Sequence, residues 1–337
     1  MIKVGVIGIG NMGRHHARIY SQMEGAELVA VADLRQEAEE VARRYGARFY
    51  MDHREMLRKE RPDAVSVAVP TALHRDVGMD CLKAGVATLI EKPLASSVEE
   101  AEELAELAEA RGVLLMVGHI ERFNPVVRAL KGIIDRGDLG DLTSLTARRV
   151  GIFPPQVKDA DVVLDLAVHD IDICSFLLGR LPKRVYARTG KALNSRRWDF
   201  AGIFLDYGEA SALIQVNWIT PVKIRELTVT GTGGYAELNY ITQRLRVYES
   251  EYRRKFDSFG DFVVKFGSPR VRDVPVEGAE PLFLELSHFL SCADEGRTPE
   301  VSGREGLSAV AVAACALRSS EEGKVVDIAP KSSSLDP

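Results

Sequence analysis

VGVIGIGNMG at residues 4–13 is the stretch that decides the fold, because it leads from an apolar strand through a glycine-rich turn into a helical segment. The turn, Gly8-Ile9-Gly10-Asn11-Met12-Gly13, matches the pattern G-x-G-x-x-G. In such a turn the first glycine permits the tight bend, the second lets a pyrophosphate approach the backbone, and the third allows close contact between helix and strand. The helix N-terminus would add amide donors for the phosphates. We therefore predict a dinucleotide-binding turn rather than one that only packs a helix on a sheet.

An aspartate in the expected place indicates which dinucleotide the turn would take. Asp33 ends the next predicted strand, about 20 residues past the last glycine, where it would accept hydrogen bonds from the adenosine ribose hydroxyls. Its carboxylate would repel a 2′-phosphate, so NAD is favoured over NADP, although Arg35 nearby leaves that choice open. The residues predicted to bind the cofactor are Gly8, Gly10, Asn11, Met12, Gly13, Asp33, Arg35, Pro70, Thr71, His74, Glu91 and Lys92.

The hydrophobic pattern predicts an α/β chain of two domains. Short β-branched runs alternate with helical segments over the first third, which predicts βαβ units and a doubly wound parallel (Rossmann) sheet. From Arg184 to about Val264, apolar and polar residues alternate, which predicts a large open antiparallel sheet with one packed face. We expect an NAD-binding domain at 1–120, an α+β domain for substrate binding and oligomerisation at 121–330, and a disordered tail at 331–337. The predicted strands of the first domain are Val4–Ile7, Leu28–Ala32, Ala64–Val69, Ala87–Ile90 and Leu114–Val117.

Composition excludes several classes of partner. The net charge of −5 argues against a general binder of nucleic acids or membrane surfaces, which would normally carry a basic excess. We find no apolar run long enough to span a bilayer, and Met1 leads directly into a strand without a charged leader. The four cysteines are scattered and are expected to be reduced and buried. These features predict a soluble, cytoplasmic protein.

A lysine just after the predicted strand Ala87–Ile90 is the first candidate for chemistry. Ligands of doubly wound sheets lie beyond the carboxyl ends of the strands, so Lys92 of Glu91-Lys92-Pro93 would lie near the nicotinamide. A lysine there can relay a proton or polarise a carbonyl oxygen. Taken alone, it could equally be a surface lysine. The peptide bond before Pro93 could be cis.

An acid–histidine pair is the second candidate. Asp165 and His169 are one helical turn apart, so both can face the same side of a helix. A carboxylate beside an imidazole orients it and stabilises the imidazolium, and alcohol oxidation needs a base for the hydroxyl proton. A capping aspartate and a structural histidine are the alternative for this pattern alone. We expect structural roles for the neighbouring Asp170 and Asp172.

Together these motifs resemble the Gfo/Idh/MocA family (glucose–fructose oxidoreductase, inositol dehydrogenase, rhizopine catabolism) over nearly the whole chain. The resemblance implies that Lys92, Asp165 and His169 form the catalytic site, with Ala167 standing where many relatives have glycine. Three segments are similar to one branch of the family, the UDP-N-acetylglucosamine 3-dehydrogenases, in which NAD oxidises the C3 hydroxyl of the sugar to a ketone. These segments are VGHIERFNP at 117–125, TARRVGIFPP at 146–155 and LDLAVHDIDI at 164–173.

The substrate is therefore expected to be a sugar or nucleotide sugar. Arg122 or Arg149 would contact its diphosphate or nearby sugar oxygens, although any single arginine could equally be paired with an acidic residue. Two alternatives stay open: a dehydrogenase of inositol, a free sugar or a dihydrodiol with the same three catalytic residues, and a dinucleotide-sensing regulatory protein without activity. The residues predicted to bind substrate are Lys92, His119, Arg122, Asn124, Arg149, His169, Trp218 and Arg225.

Two further expectations concern metals and assembly. We predict no metal, because the candidate ligands make no open three-ligand set and hydride transfer to NAD needs none. We predict a homodimer or homotetramer, because a one-sided sheet would otherwise expose apolar residues to water. The candidate metal ligands are His15, His16, His119, His169 and Asp170, and the apolar sheet residues are Ile203, Leu205, Leu213 and Ile214.

Overall fold

Two large β-sheets organise the chain in the computed structural model, which describes residues 1–153, 160–193, 196–249, 252–256, 262–266 and 270–328. The tail at 331–337, predicted to be disordered, lies outside the described residues. The α-helices are α1 Asn11–Gln22, α2 Glu39–Arg44, α3 His53–Glu60, α4 His74–Lys83, α5 Val98–Arg111, α6 Pro125–Asp135, α7 Val168–Leu178, α8 Pro281–Glu295 and α9 Gly303–Glu322.

The first sheet confirms the predicted doubly wound fold. Its six parallel strands follow the order β3-β2-β1-β4-β5-β6, so the strand order reverses between β1 and β4. The glycine turn follows β1 at this reversal, which is where such sheets bind ligands. The three-residue β3 was not predicted, since it has no apolar run of its own. The strands are β1 Ile2–Ile7, β2 Ala26–Ala32, β3 Arg48–Tyr50, β4 Ala64–Val67, β5 Ala87–Glu91 and β6 Leu115–Gly118.

The second sheet has nine strands in the order β16-β13-β12-β11-β7-β10-β9-β8-β17. It is mostly antiparallel, as predicted, but β10 runs parallel to β7 at its centre, because the β8–β9–β10 meander returns its last strand to the side of β7. Strands β14 and β15 form a separate hairpin. The strands are β7 Leu142–Ile152, β8 Arg184–Gly190, β9 Phe200–Asp206, β10 Ser211–Asn217, β11 Ile219–Gly231, β12 Gly234–Asn239, β13 Arg244–Glu249, β14 Tyr252–Phe256, β15 Phe262–Phe266, β16 Arg270–Val274 and β17 Val326–Asp327.

One face of the second sheet packs against helices α6, α7 and α9, and the other face is open. Of the four residues expected on the open face, only Leu213 is there, and Ile203, Leu205 and Ile214 are buried under the helices. The prediction was wrong for those three because successive side chains of a strand point to opposite faces, so Leu213 and Ile214 cannot share one. The open face carries Tyr186 and Phe204 beside Leu213 instead, each close to half exposed.

Helix α8 returns from the far end of the chain to the first sheet. Its Leu282, Leu286 and Phe289 are buried in the same core as the parallel strands. The domain division at residue 120 stays a prediction, and the first core draws residues from beyond it. This packing places one face of α8 against α1 and the short helical turn Ile120–Phe123.

The three glycines of the turn have three different surroundings. Gly8 has a positive φ of +87°, and a Cβ there would lie 2.7 Å from the backbone of Ala68. At Gly13 a Cβ would lie 1.8 Å from the carbonyl oxygen of Gly8, so the helix and the turn are in direct contact. At Gly10 a Cβ would meet no atom within 4 Å. The absent side chain of Gly10 therefore serves no internal packing and leaves room for a ligand.

We expect these glycines to separate folding from cofactor binding. Gly13→Ala should destabilise the protein, because backbone atoms cannot move aside for the methyl group. Gly10→Ala should leave the melting temperature nearly unchanged yet weaken NAD binding by at least about tenfold, because the methyl group fills the space for the pyrophosphate. Thermal denaturation and NAD titration of both variants test this. Equal loss of stability in the two variants would contradict the account.

A carboxyl group is buried on the inner face of α8 without a partner. Glu285 is fully buried, and neither of its oxygens has a hydrogen-bond partner among the described residues. Burial raises its pKa well above the ordinary value, and the nearby Glu91 and Glu121 carboxylates raise it further. The folded state therefore keeps the proton on this group to a higher pH than the unfolded chain does.

The contribution of Glu285 to stability should fall as the pH rises past the ordinary glutamate pKa of about 4.3, because ionisation of this group then favours the unfolded chain. Glu285→Gln should remove that part of the pH dependence. Glu285→Met should in addition gain about 1–3 kcal/mol at pH 7, because no polar group is left buried without a partner. Urea denaturation between pH 4 and 8 measures both effects. If Glu285→Met were less stable than the wild type at pH 7, a hidden partner of Glu285 would be indicated.

Candidate active site

A cleft of about 830 Å³ lies where the carboxyl ends of the parallel strands meet the second sheet. It is lined from the first half of the chain by Asn11, Met12, Glu91 and Lys92. The second half contributes residues near the start of α7 and on β7 and β11, together with Ile120-Glu121 and Tyr240-Ile241. A smaller recess of about 190 Å³ continues along the glycine turn and is lined by residues including Met12, Pro70, Thr71, His74, Glu91 and Lys92. Most residues predicted to bind cofactor thus share one continuous surface.

Asp33 and Arg35 lie beside Ile9 of the glycine turn and line neither the cleft nor the recess. The Asp33 carboxylate accepts a hydrogen bond from the Ile9 amide at 2.7 Å, and Arg35 donates to it from its backbone and from Nε and Nη2, each at 2.9 Å. Although desolvation raises the pKa of Asp33, these hydrogen bonds outweigh it and hold the pKa below its ordinary value. Asp33 is therefore ionised, and the exposed Arg35 lies over it.

His74 and Glu91 are buried behind the recess. The two ring nitrogens of His74 lie 2.8 Å from the Pro93 carbonyl oxygen and 3.0 Å from that of Val69. Glu91 lies 2.9 Å from Nε2 of His16 and also accepts a hydrogen bond from the Lys92 amide. Both side chains therefore fix the backbone around the lysine rather than reaching freely into solvent.

Lys92 lies at the junction of the two halves of the chain. It follows β5, and its peptide bond to Pro93 is cis. Its ammonium donates to the backbone oxygen of Asp165 at 2.8 Å and to the carboxylate Oδ1 of the same residue at 3.1 Å. An ion pair between residues 92 and 165 thus links the two sheets at the edge of the cleft.

The segment that carries Asp165 is a π-helical turn, Val163–Ala167, which runs directly into α7. The side chain of Asp161 caps it by accepting from the Val163 and Leu164 amides. The sequence predicted that Asp165 would orient His169, but in the structure the carboxylate binds Lys92 and makes no hydrogen bond with the imidazole. A bond to an ammonium is charge-assisted and stronger than one to a neutral ring, which explains the choice of partner.

His169 lines the cleft, and most of its ring is buried. Its Nδ1 has no hydrogen-bond partner in the described part of the chain. Burial lowers its pKa well below the ordinary value, and the positive charges of Lys92 and Arg149 lower it further. The imidazole is therefore neutral at neutral pH, with a lone pair available as a base.

The two arginines predicted to contact the substrate are both paired with acidic residues. Arg149 lines the cleft but donates to Asp170 at 2.9 Å from both Nε and Nη2, and to Glu121 at 2.7 Å. Arg122 donates to Asp172 at 2.8 and 2.5 Å and does not line the cleft. The prediction is wrong for Arg122, and Asp170 and Asp172 have the structural roles expected of them.

Two other predicted contacts also belong to the framework. Asn124 caps α6 by accepting from the Val126 amide and donates to the Tyr240 carbonyl oxygen. His119 is buried, with Nδ1 3.9 Å from the Asp172 carboxylate, and it does not line the cleft. Both predictions were wrong because residues that follow a strand end can turn inward as easily as outward. Trp218 and Arg225, by contrast, line the cleft, and their contact with substrate stays a prediction.

Sequence reasoning left three polar cleft residues out of the predicted set: Glu121, Lys223 and Tyr240. Lys223 carried a signal, since it stands two residues from Arg225. Tyr240 carried none, because its position depends on where β12 ends.

The described residues contain no group of three or more histidine, cysteine, aspartate or glutamate side chains that could hold a metal ion. Among the helices of the described residues, none is long and apolar enough to cross a membrane.

Comparison with known proteins bears on the chemistry of this cleft. Residues 2–119 match the model of an oxidoreductase family with an NAD-binding Rossmann fold, Gfo/Idh/MocA, and residues 127–237 match the model of that family's C-terminal domain. UDP-N-acetylglucosamine 3-dehydrogenase of Acidithiobacillus ferrooxidans is 30% identical over 93% of this chain and 95% of its own. The NAD-dependent scyllo-inositol 2-dehydrogenase of Bacillus subtilis is 29% identical over 97% of this chain and 96% of its own.

A solved structure extends the similarity to three dimensions. The structure of the UDP-N-acetylglucosamine 3-dehydrogenase of A. ferrooxidans matches with a TM-score of 0.83 and 28% identity, covering 95% of this chain and 98% of that chain. The family match thus includes both the parallel sheet with its glycine turn and the second sheet that completes the cleft. The chain belongs to the Gfo/Idh/MocA family of NAD-binding oxidoreductases.

Proposed function

We propose that this protein oxidises the C3 hydroxyl of UDP-N-acetylglucosamine, or of a related UDP-amino sugar, to a ketone with NAD as the hydride acceptor. The observation that carries the proposal is the meeting of Lys92, Asp165 and His169 on one cleft that is continuous with the glycine turn. The cleft, of about 830 Å³, has room for a substrate beside the nicotinamide. The relative named for this reaction is similar over nearly the full length of both chains.

NAD fits the surface of the first half of the chain. The open position at Gly10 leaves room for a pyrophosphate against the start of α1, and the ionised Asp33 can accept hydrogen bonds from ribose hydroxyls. When bound, NAD supplies a nicotinamide ring that accepts hydride. Arg35 would have to share or leave Asp33 for the ribose to bind, and its guanidinium leaves NADP as a second possible cofactor.

The chain's own residues would manage the proton of the substrate hydroxyl. The neutral imidazole of His169 accepts that proton, and its low pKa ensures rapid release afterwards. The Lys92 ammonium donates a hydrogen bond to the same oxygen and stabilises the negative charge that develops as the proton leaves. Asp165 positions Lys92, so its effect on the reaction is exerted through the ammonium. Each assignment is part of the proposal.

A second candidate is a dehydrogenase of inositol or a free sugar, with the same three residues and no nucleotide site. The inositol dehydrogenase of B. subtilis, which is almost as similar as the UDP-sugar enzyme, favours it. We further propose that the protein is cytoplasmic. We also propose a homodimer or homotetramer, because Tyr186, Phe204 and Leu213 form an apolar row on the open sheet face that a second copy would cover.

The substrate is tested by following NADH formation with a panel of sugars. We expect turnover with UDP-N-acetylglucosamine, and a kcat/KM at least about tenfold lower for N-acetylglucosamine, myo-inositol and scyllo-inositol, because these lack the nucleotide contacts. The product should be a 3-ketosugar, which mass spectrometry detects after borodeuteride reduction. Turnover of an inositol alone would establish the second candidate in place of the first.

The base is tested by His169→Ala. We expect a loss of about 10²–10⁴-fold in kcat with little change in NAD affinity, since the side chain acts on the substrate proton. Because the pKa of His169 is lowered, the acid limb of the wild-type kcat/KM profile should lie below about pH 6.5, where an ordinary histidine would titrate. His53→Ala, a histidine paired with Asp80 away from the cleft, is the control. Full turnover in His169→Ala would refute the assignment.

A further inference from the structure

The positive charges of the cleft fall into two groups. Lys92 and Arg149 are each paired with at least one carboxylate, so their charges are largely compensated. Lys223 and Arg225 also line the cleft, yet neither has a carboxylate partner in the part of the chain that the structure describes. The uncompensated positive charge of the cleft is therefore concentrated on β11, on the side that the second sheet provides.

An irregularity in β11 brings these two side chains together. Its register with β7 shifts between Ile219, opposite Ile152, and Ile224, opposite Val150, so residues 220–223 stand against Gly151 alone. Such a bulge re-aims the side chains of the bulged strand. A Cβ at Gly151 would lie 3.8 Å from both the Lys223 Cα and the Arg225 Nη1. The bulge and the guanidinium therefore both lie against the same position of β7, at the wall of the cleft.

The guanidinium of Arg225 is held in place by one of its nitrogens. Nη1 donates to the Val150 carbonyl oxygen at 2.6 Å and to the Ile224 carbonyl oxygen at 2.8 Å. Nε and Nη2 make no hydrogen bond with any described residue. Desolvation and the nearby charge of Arg149 lower the pKa of Arg225, and they outweigh the carboxylates of Asp170, Glu121 and Asp165, which raise it. The arrangement is a fixed, partly desolvated cation with unused donors, which an anionic ligand would stabilise.

We propose that Arg225 and Lys223 form an anion subsite of the substrate cleft, which binds a phosphate or carboxylate group of the substrate at a distance from the reacting hydroxyl. The inference rests on the proposed function and deepens it, because for a UDP-sugar the bound group is the diphosphate. Trp218 lines the same cleft with only a small exposed part of its ring, so it bounds the space beside that group. The subsite replaces Arg122 and Arg149 as the point of contact for negative charge.

The test compares wild type with Arg225→Gln, Lys223→Gln and Arg148→Gln. We expect Arg225→Gln to raise the KM for UDP-N-acetylglucosamine and the Ki of UDP in parallel, by about 10–100-fold each, with the loss in KM rather than in kcat. The side chain of Lys223 is exposed, so Lys223→Gln should have a smaller effect in the same direction. Arg148→Gln is the control, because it also removes one positive charge, from an arginine on β7 that pairs with Glu226 outside the cleft. It should change neither the KM for UDP-N-acetylglucosamine nor the Ki of UDP. Thermal denaturation checks that each variant is folded.

The outcomes separate this inference from the choice of substrate. If an inositol proves to be the substrate, then UDP, inorganic pyrophosphate and glucuronate are tested as inhibitors of its oxidation. Inhibition by the phosphate compounds alone identifies a phosphate subsite, and inhibition by glucuronate identifies a carboxylate subsite. If the inhibition is lost in Arg225→Gln, the subsite is supported even though the proposed substrate has failed. Unchanged constants in both Arg225→Gln and Lys223→Gln, or no inhibition of the wild type by any of the three anions, would overturn the subsite.

Discussion

The contact between the Lys92 ammonium and Asp165 is the interaction on which the candidate site depends. The two residues are 73 positions apart in the chain and belong to different sheets, yet they meet at 2.8 and 3.1 Å. The π-helical turn before α7 presents both the backbone oxygen and the carboxylate of Asp165 to the lysine. Because the pair closes one side of the cleft, in the proposed reaction it would fix where a substrate hydroxyl lies relative to the glycine turn.

Compensation of charge explains how the rest of the cleft works. Two carboxylates neutralise Arg149 at the wall of the cleft, so that residue supports the sheet without demanding an anionic ligand. The charges of Lys92 and Arg149 nevertheless disfavour a proton on the buried His169. The charges of Lys223 and Arg225 on β11 have no carboxylate partner among the described residues, and we have proposed that they bind an anionic group of the substrate. The chemistry and the specificity of the cleft therefore follow from which ions are paired and which are not.

The parts of this arrangement with local causes could be predicted from the sequence. The glycine turn, the lysine that ends β5 and the acid–histidine spacing each depend on neighbouring residues, and the fold follows from hydrophobic periodicity. Which arginine faces the cleft cannot be predicted from neighbouring residues in the sequence. Arg122 forms an ion pair with Asp172, whereas Arg225 forms none with any described carboxylate. The bulge in β11 likewise depends on pairing with a strand about 75 residues earlier.

A crystal structure of the wild-type protein with NAD and UDP-N-acetylglucosamine would test the central claim most directly. The account predicts that the C3 hydroxyl oxygen lies about 3 Å from both the Lys92 ammonium and Nε2 of His169, with C3 against the nicotinamide ring. A complex in which that hydroxyl contacts neither residue, while another protein group occupies the position of a base, would contradict it.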